Sequence, residues 1–99
     1  MAQQNQLEGY QIVFGKKAQK QLEALDGKSQ QTLLKKLKTL VDQDHCLDVK
    51  KLHGYDTLYR IKVGDYRIVY EPLHKIITIH VIFVGQRKKV YQEFMRYYG

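Results

Sequence analysis

Two cations with no carboxylate opposite them are the first feature of this sequence that could do chemistry. Lys62 and Arg67 flank Gly64-Asp65, and Gly-Asp between two alternating runs predicts a two-residue hairpin turn. That turn places Lys62 opposite Arg67, and Arg60 opposite Val69. Like charges directly opposite on a sheet repel, whereas two cations can stabilise one phosphate. The alternative is that both side chains extend separately into solvent at little cost.

Strand alternation divides this predicted hairpin into two faces. Arg60, Lys62 and Arg67 share a face that we expect to be exposed to solvent. The apolar and aromatic positions share the other face, which we expect to be the core side: Tyr59, Ile61, Val63, Tyr66, Ile68 and Tyr70.

A second cation and an aromatic ring follow the last predicted strand. If Arg87 opens the final helix, Tyr91 lies four residues later on the same helix face. An arginine beside an aromatic ring can hold a phosphate and stack a base, and Lys88 and Lys89 add charge next to them. The alternative is that Tyr91 packs in the core and Arg87 is an ordinary surface charge.

Charge supports a polyanionic partner. The chain has 99 residues and a formal net charge of +7. Residues 1–49 carry seven basic and six acidic side chains, whereas residues 50–99 carry ten basic and four acidic ones. A basic half on a small domain favours nucleic acid, although a soluble protein can also be basic without binding it.

Other chemistries find little support. The sequence has no Gly-rich phosphate loop, no metal-ligand spacing and no Ser/His/Asp motif, so we expect no cofactor and no metal. Cys46 lacks a nearby activating group. His45 and His74 fall in turns, His53 in a loop, and His80 in a central strand, where we expect it to be half-buried.

We also expect a cytoplasmic protein with no membrane contact. The N-terminus is polar, without the apolar segment of a signal peptide. The longest apolar run, 76–84, is interrupted by Thr78 and His80 and is too short to span a bilayer. A single cysteine fits a reducing compartment.

The predicted fold class is α+β: two N-terminal helices packed on an antiparallel sheet, with a C-terminal helix. We expect one domain over residues 1–99, with residues 1–9 frayed, and all helices on one side of the sheet. Gly27 should stop the first helix, Pro72 should end a strand, and Gly85-Gln86 should form a turn. The predicted strands are 10–14, 58–63, 66–71 and 75–84, and the predicted helices are 16–26, 29–41 and 87–98, the last packing through Val90, Phe94 and Tyr97.

Four segments together resemble the RelE branch of the RelE/ParE toxin superfamily. They are Lys51-Leu52-His53-Gly54, Tyr59-Arg60-Ile61-Lys62, Asp65-Tyr66-Arg67-Ile68-Val69-Tyr70 and Val84-Gly85-Gln86-Arg87-Lys88-Lys89-Val90-Tyr91. The resemblance runs from Tyr10 to the C-terminus. It implies a toxin that cuts mRNA in the ribosomal A site, next to rRNA. It also implies neutralisation by an acidic RelB-like antitoxin, in a complex that binds operator DNA.

The resemblance also implies site roles. Lys62 and Arg67 match the family's catalytic cations, Arg87 matches the arginine after the last strand, and Tyr91 matches the aromatic that stacks on the substrate, at a shorter spacing from Arg87. Arg60 falls where the family often has lysine and would bind substrate, as would Lys88 and Lys89. The implied reaction is metal-free transesterification, in which the ribose 2′-OH attacks phosphorus. Lys62 would be the base, Arg67 would stabilise the pentavalent phosphate and Arg87 the leaving oxygen.

A binding function from the same superfamily is the main alternative. ParE-type toxins share the fold but poison DNA gyrase and cut no RNA. A third possibility is an inactive, DNA-binding autoregulatory module. The combination of Arg60, Lys62, Arg67, Arg87 and Tyr91 favours the endoribonuclease.

Overall fold

The predicted α+β class is confirmed. The structure, a computed structural model, describes residues 7–42 and 49–98, so Cys46 and His45 lie outside the described residues. In chain order the elements are β1 (Gln11–Phe14), α1 (Lys16–Glu23), α2 (Gly27–Leu40), β2 (Val49–Lys51), β3 (Tyr59–Val63), β4 (Tyr66–Leu73), a 3₁₀ turn (His74–Ile76), β5 (Thr78–Gln86) and α3 (Val90–Tyr98).

The sheet has five strands in the order β1-β5-β4-β3-β2. Strand β1 runs parallel to β5, and the remaining pairs are antiparallel. The predicted hairpin register is confirmed, with Lys62 opposite Arg67. Gly64 takes a φ of 58° at the first turn position, which a two-residue hairpin turn requires and glycine adopts without strain.

Helices α1 and α2 cover one face of the sheet. Their contact with the strands is apolar, and it brings together Ala18, Leu22, Leu33, Leu37 and Leu40 with Ile61, Val63, Ile68, Tyr70, Ile79, Val81 and Val84. Gly27 opens α2 and does not stop α1, because the carboxylate of Asp26 accepts the Ser29 backbone N–H at 3.1 Å and caps the new helix.

Helix α3 covers the opposite face, so the expectation of helices on one side only is wrong. Val90 and Phe94 of α3 pack against Val69 and Phe83 of the sheet. Tyr97, predicted to pack with them, is 58% exposed. This second apolar cluster also contains Leu52 and Ile82.

An irregularity in β5 supplies part of that second cluster. Val69 pairs with Phe83 and Tyr70 with Val81, so Ile82 is one extra residue on β5. Such a bulge lets neighbouring residues face the same side. Strand β5 is therefore apolar on both faces, as its sequence predicts.

The ends of β4 and β5 and the number of strands differ from prediction, and β5 begins at Thr78, after the 3₁₀ turn, and not at Lys75. Pro72 lies inside β4, opposite Ile79, past the last residue of β4 that pairs with β3. Its missing N–H therefore removes no ladder bond to β3. Gly85-Gln86 belongs to β5, and β2, with three residues, was not predicted.

The N-terminal segment is tied to the domain within the described range. Leu7 packs against the first core, and the Gly9 N–H donates to the Val41 carbonyl at 3.0 Å. Fraying was expected over residues 1–9, of which 1–6 lie outside the described residues. None of the helices within 7–42 and 49–98 is long and apolar enough to cross a membrane.

Candidate nucleic-acid interface

A row of cations crosses the sheet on the α3 side. Lys50 pairs with Arg60, and Lys62 pairs with Arg67. Arg60 also pairs with Val69, which contacts α3, so alternation places these cations on that same face. Lys50 was not among the predicted residues, because β2 was not predicted. We call Lys50, Arg60, Lys62 and Arg67 the cationic row.

Burial within the cationic row differs from expectation. Lys62 is exposed, as predicted. Arg60 and Arg67 are 7% and 9% exposed, against the expectation that both side chains are open to solvent. A buried charge requires hydrogen-bonding partners. Nη1 of Arg67 donates to the carbonyls of Gly64 at 2.9 Å and Tyr66 at 2.8 Å, so this guanidinium is fixed against the hairpin turn.

Arg87 reaches the same turn from the end of β5. Its backbone N–H donates to the Asp65 carbonyl at 2.8 Å. Its side chain is exposed and lines a depression of about 340 Å³ together with Asp65, Gln86 and Lys88. The fold therefore brings Arg87 next to the turn that holds Arg67. Lys89 is exposed as well.

Tyr91 lies elsewhere than the sequence predicted. Helix α3 begins at Val90, because residues 87–89 form a turn in which the Lys89 N–H donates to the Gln86 carbonyl at 2.9 Å. Gly85 allows this turn: a Cβ there would lie 3.1 Å from Cγ2 of Val90. Arg87 and Tyr91 consequently do not share a helix face.

Tyr91 instead shares a cavity with Arg60. This cavity, of about 380 Å³, has an apolar floor and a cationic rim, and we call it the Arg60–Tyr91 cavity. Tyr91 is 38% exposed, so part of its ring is open to solvent. The remaining lining residues are Lys50, Lys51, Leu52, His53, Tyr55, Phe94 and Met95.

Three polar residues of this cavity were missed as site residues by sequence reasoning: Lys50, Lys51 and His53. The signal was present, since Lys50-Lys51-Leu52-His53 places three ionisable side chains in four residues. This pattern could not be assigned to a site from the sequence, because residues of β2 and α3 line the cavity together.

Tyr10, His74 and His80 belong neither to the cationic row nor to the lining of the Arg60–Tyr91 cavity. The Tyr10 hydroxyl and His74 Nδ1 are 2.7 Å apart, and His80 is half-buried as predicted. Burial raises the pKa of Tyr70 within the first core, and it raises that of Tyr98 beside Tyr97. Over residues 7–42 and 49–98, no group of three or more His, Cys, Asp or Glu side chains could hold a metal ion.

Comparison with known proteins identifies the family. Residues 12–91 match the family described as the ParE toxin of the type II toxin-antitoxin system parDE. A RelE-like toxin protein of Escherichia coli is 35% identical over 82 residues, which are 81% of this chain and 85% of the relative. The mRNA interferase toxin RelE of E. coli K12 is 31% identical over 88 residues, or 85% of this chain and 92% of that protein.

A solved structure agrees with the sequence relatives. The RelE–RelB complex from Pyrococcus horikoshii gives a TM-score of 0.67 at 27% identity, over 82% of this chain and 98% of the solved chain. The matched family carries the ParE name and these relatives the RelE name, so both point to one superfamily and the relatives to one of its branches. The chain belongs to the RelE/ParE superfamily, as a RelE-type toxin of a type II toxin–antitoxin system.

Proposed function

We propose that this toxin is a ribosome-dependent endoribonuclease that cleaves mRNA in the ribosomal A site by attack of a ribose 2′-OH, without a metal. The observation that carries the proposal is the cationic row beside the hairpin turn. Lys62 and Arg67 face each other across two strands, and Arg87 joins them at Asp65. The relative named mRNA interferase toxin RelE supports the same activity.

The cations suit the charge that develops in this reaction. Attack by the 2′-oxygen produces a pentavalent phosphorane, whose extra charge Arg67 and Lys62 would stabilise. The guanidinium of Arg67 is held in place by two carbonyls, so little reorganisation would be needed. Arg87 would stabilise the departing 5′-oxygen, and the products would be a 2′,3′-cyclic phosphate and a 5′-OH.

The Arg60–Tyr91 cavity would receive the nucleotide beside the cut. Aromatic rings stack on unpaired bases, and the partly exposed ring of Tyr91 is available for this contact. Arg60 would neutralise a neighbouring phosphate, and the exposed Lys88 and Lys89 would contact the RNA backbone. Tyr91 thus acts on the substrate from a separate cavity, not in concert with Arg87.

We expect the reaction to depend on the ribosome because Lys62, Arg67 and Arg87 are poor proton donors and acceptors at neutral pH. Arginine hardly gives up its proton, so Arg67 and Arg87 supply charge and not proton transfer. Lys62 can accept the 2′-OH proton only when its amine is neutral. A site of this kind gains most from a substrate already held in a reactive geometry, which the ribosome would provide.

Gyrase poisoning is the less favoured function. The relatives reported above carry RelE names, and the cationic row together with Tyr91 suits the binding and cleavage of RNA. A purely DNA-binding module would leave the exposed ring of Tyr91 without a role.

The same charge suits an acidic RelB-like antitoxin. The P. horikoshii relative was solved in complex with RelB, and residues 50–99 of this chain carry ten basic and four acidic side chains. An antitoxin that covers the cationic row should associate rapidly and lose on-rate as salt rises. Binding without any salt dependence would contradict this interface. The complex would also bind operator DNA.

Toeprinting of a translated mRNA tests the proposed function. With the protein present, reverse transcription should stop within codons that occupy the A site, and it should not stop there without ribosomes. Absence of RNA cleavage together with inhibition of gyrase supercoiling would move the assignment to the ParE-type function.

A further inference from the structure

We propose that the outer face of α2 is a second nucleic-acid surface, which binds the phosphate backbone of ribosomal RNA while the cationic row meets the mRNA. The surface consists of Lys28, Lys35 and Lys38, and we call it the lysine stripe. This inference rests on the proposed function, because that function places the toxin on the ribosome. None of the three lysines lies in the cationic row or lines the Arg60–Tyr91 cavity.

Helix α2 has an apolar side and a lysine side. Lys28 and Lys35 are two helical turns apart, and Lys38 follows Lys35 by three residues, so all three project from one side of the helix. All three are exposed, and they span about 15 Å along the helix axis. The opposite side packs on the sheet through three residues that are each 1% exposed: Leu33, Leu37 and Leu40.

No carboxylate within α2 balances these charges. Over its 14 residues the helix contains four lysines and neither aspartate nor glutamate. The carboxylate of Asp26, just before the helix, accepts hydrogen bonds from the Ser29 N–H at 3.1 Å and the Ser29 hydroxyl at 2.6 Å. Lys35 and Lys38, three residues apart, repel each other in the free protein. A bound polyanion would remove this repulsion, and the counterions that it releases would favour binding.

The lysine stripe differs in chemistry from the cationic row. Residues 16–40, which hold α1, α2 and their connection, contain seven lysines, no arginine and no aromatic side chain. All four arginines of the chain lie between residues 60 and 96. Arginine and aromatic rings can recognise a base, whereas lysine is a flexible point charge that contacts phosphate without reading sequence. The lysine stripe therefore suits folded RNA, which presents its phosphates and keeps its bases paired.

The position of the lysine stripe points to an RNA other than the segment that is cut. Helices α1 and α2 cover one face of the sheet, and the cationic row lies on the other face. The lysine stripe projects from the side of α2 that faces away from the sheet. An RNA strand bound at Lys62 and Arg67 would have to pass around the domain to reach it. In the ribosomal A site the toxin would meet mRNA on one side and folded ribosomal RNA on the other, and contacts on both sides would fix its orientation.

The test compares neighbouring residues on one helix. Lys35→Glu reverses a charge in the lysine stripe, and Lys36→Glu reverses an exposed charge that lies about 100° away around the helix. Binding is measured on ribosomes whose message carries a 2′-deoxy nucleotide at the cut position, at about 50 to 300 mM salt. Lys35→Glu should weaken binding about 10-fold, and Lys36→Glu by less than about 2-fold. Thermal melting checks the fold of both variants.

A triple variant with Lys28→Gln, Lys35→Gln and Lys38→Gln measures the whole surface. Glutamine is a good helix former, so the variant should melt like the wild type. The slope of log Kd against log salt should fall by about 2 to 3, because three phosphate contacts are lost. In single-turnover cleavage, the ribosome concentration at half-maximal rate should rise about 10-fold or more. The rate at saturation should match that of the wild type, because the cationic row is intact.

Three results would overturn the inference. They are equal binding losses in Lys35→Glu and Lys36→Glu, a triple variant with wild-type ribosome binding, and a triple variant that loses the saturated rate. Wild-type ribosome binding with a loss of antitoxin binding would assign the lysine stripe to the antitoxin instead.

Failure of the proposed function gives a different result. A wild-type protein that binds ribosomes through the lysine stripe and cleaves no bound RNA would refute the proposed function and keep the surface. A wild-type protein that cleaves, together with a triple variant that binds normally, would refute the surface alone. A wild-type protein that binds no ribosome would refute both.

Discussion

The two faces of the sheet are made from the same strands and have opposite characters. On the α1/α2 side, β3 and β4 present Ile61 and Ile68, both fully buried. On the α3 side, the neighbouring positions are Lys62 and Arg67. Because side chains alternate along a strand, residues that stabilise the core and residues of the proposed site are neighbours in sequence but lie on opposite faces of the sheet. Substitutions on the two sides should change different measurements.

The α3 side is itself divided. Val90 and Phe94 cover the strands near Val69 and Phe83, while the hairpin end stays open at Lys62 and Arg87. Partial cover explains how Arg60 can be 7% exposed and still line the Arg60–Tyr91 cavity. The charges of the proposed site thus lie at the edge of a small apolar cluster.

The largest effect on stability should come from the α1/α2 face. Leu37 is 1% exposed in the first core, and Leu37→Ala should lower the free energy of unfolding by about 2–5 kcal/mol, measured by urea denaturation. Leu34 is 43% exposed on the same helix, so Leu34→Ala is the matched control and should cost far less. Equal losses in the two variants would contradict the assignment of this face.

Arg67 should give the largest effect on activity. Arg67→Ala should reduce single-turnover cleavage by about 10²–10³-fold, the usual loss of one charge-stabilising donor. It should also destabilise the fold by about 1–3 kcal/mol, because the carbonyls of Gly64 and Tyr66 lose a charged donor. The exposed Arg96 is the control, and Arg96→Ala should keep both activity and stability. Full activity in Arg67→Ala would remove the cationic row from the mechanism.

These two faces also show how much the sequence can predict. Gly64-Asp65 fixed the hairpin register, and with it the opposition of Lys62 and Arg67, because turn geometry and alternation are local. The start of α3 was not predictable: Gly85-Gln86 looks like a turn, but both residues pair with β4 and extend β5.

The Arg60–Tyr91 cavity could not be predicted, because segments that are distant in sequence form it. Strand β2 has three residues, too few for a period-two pattern, so Lys50 and His53 had no predicted place. Tyr91 was predicted as a site residue, but it shares a cavity with Arg60 and not with Arg87. That difference follows from the three-residue turn before α3.

Substitution of Tyr91 should have a smaller effect, on RNA binding, and it tests the role of the Arg60–Tyr91 cavity on the α3 side. Tyr91→Ala should weaken productive RNA binding by about 1–3 kcal/mol, the range for one base–aromatic stack, while Tyr91→Phe should retain most of it. Competition binding to ribosome-bound mRNA measures this. Tyr97, 58% exposed and in contact with Lys17, is the control. A loss in Tyr91→Phe equal to that in Tyr91→Ala would assign the role to the hydroxyl and not to stacking.

The smallest effect, a change in thermal stability, is expected at Asp26, which caps the N-terminus of α2. Hydrogen bonds from Ser29 lower the pKa of the exposed carboxyl of Asp26, so its contribution is present at neutral pH and is lost as the pH falls through the acidic range. Asp26→Asn should melt slightly below the wild type at pH 7, and the gap should narrow as the pH falls and the carboxyl of Asp26 takes up its proton. Cleavage should not change. A gap that widens in acid would contradict this sign.

A substrate with a single 2′-deoxy substitution at the cut position tests the central claim most directly. If the cationic row cleaves RNA by using the internal 2′-OH, this substrate should still occupy the ribosome and bind the protein, yet remain uncut. The unmodified message should yield 2′,3′-cyclic phosphate and 5′-OH ends, in EDTA as well as without it while the ribosome stays assembled. Cleavage of the deoxy substrate at the same position would contradict the account.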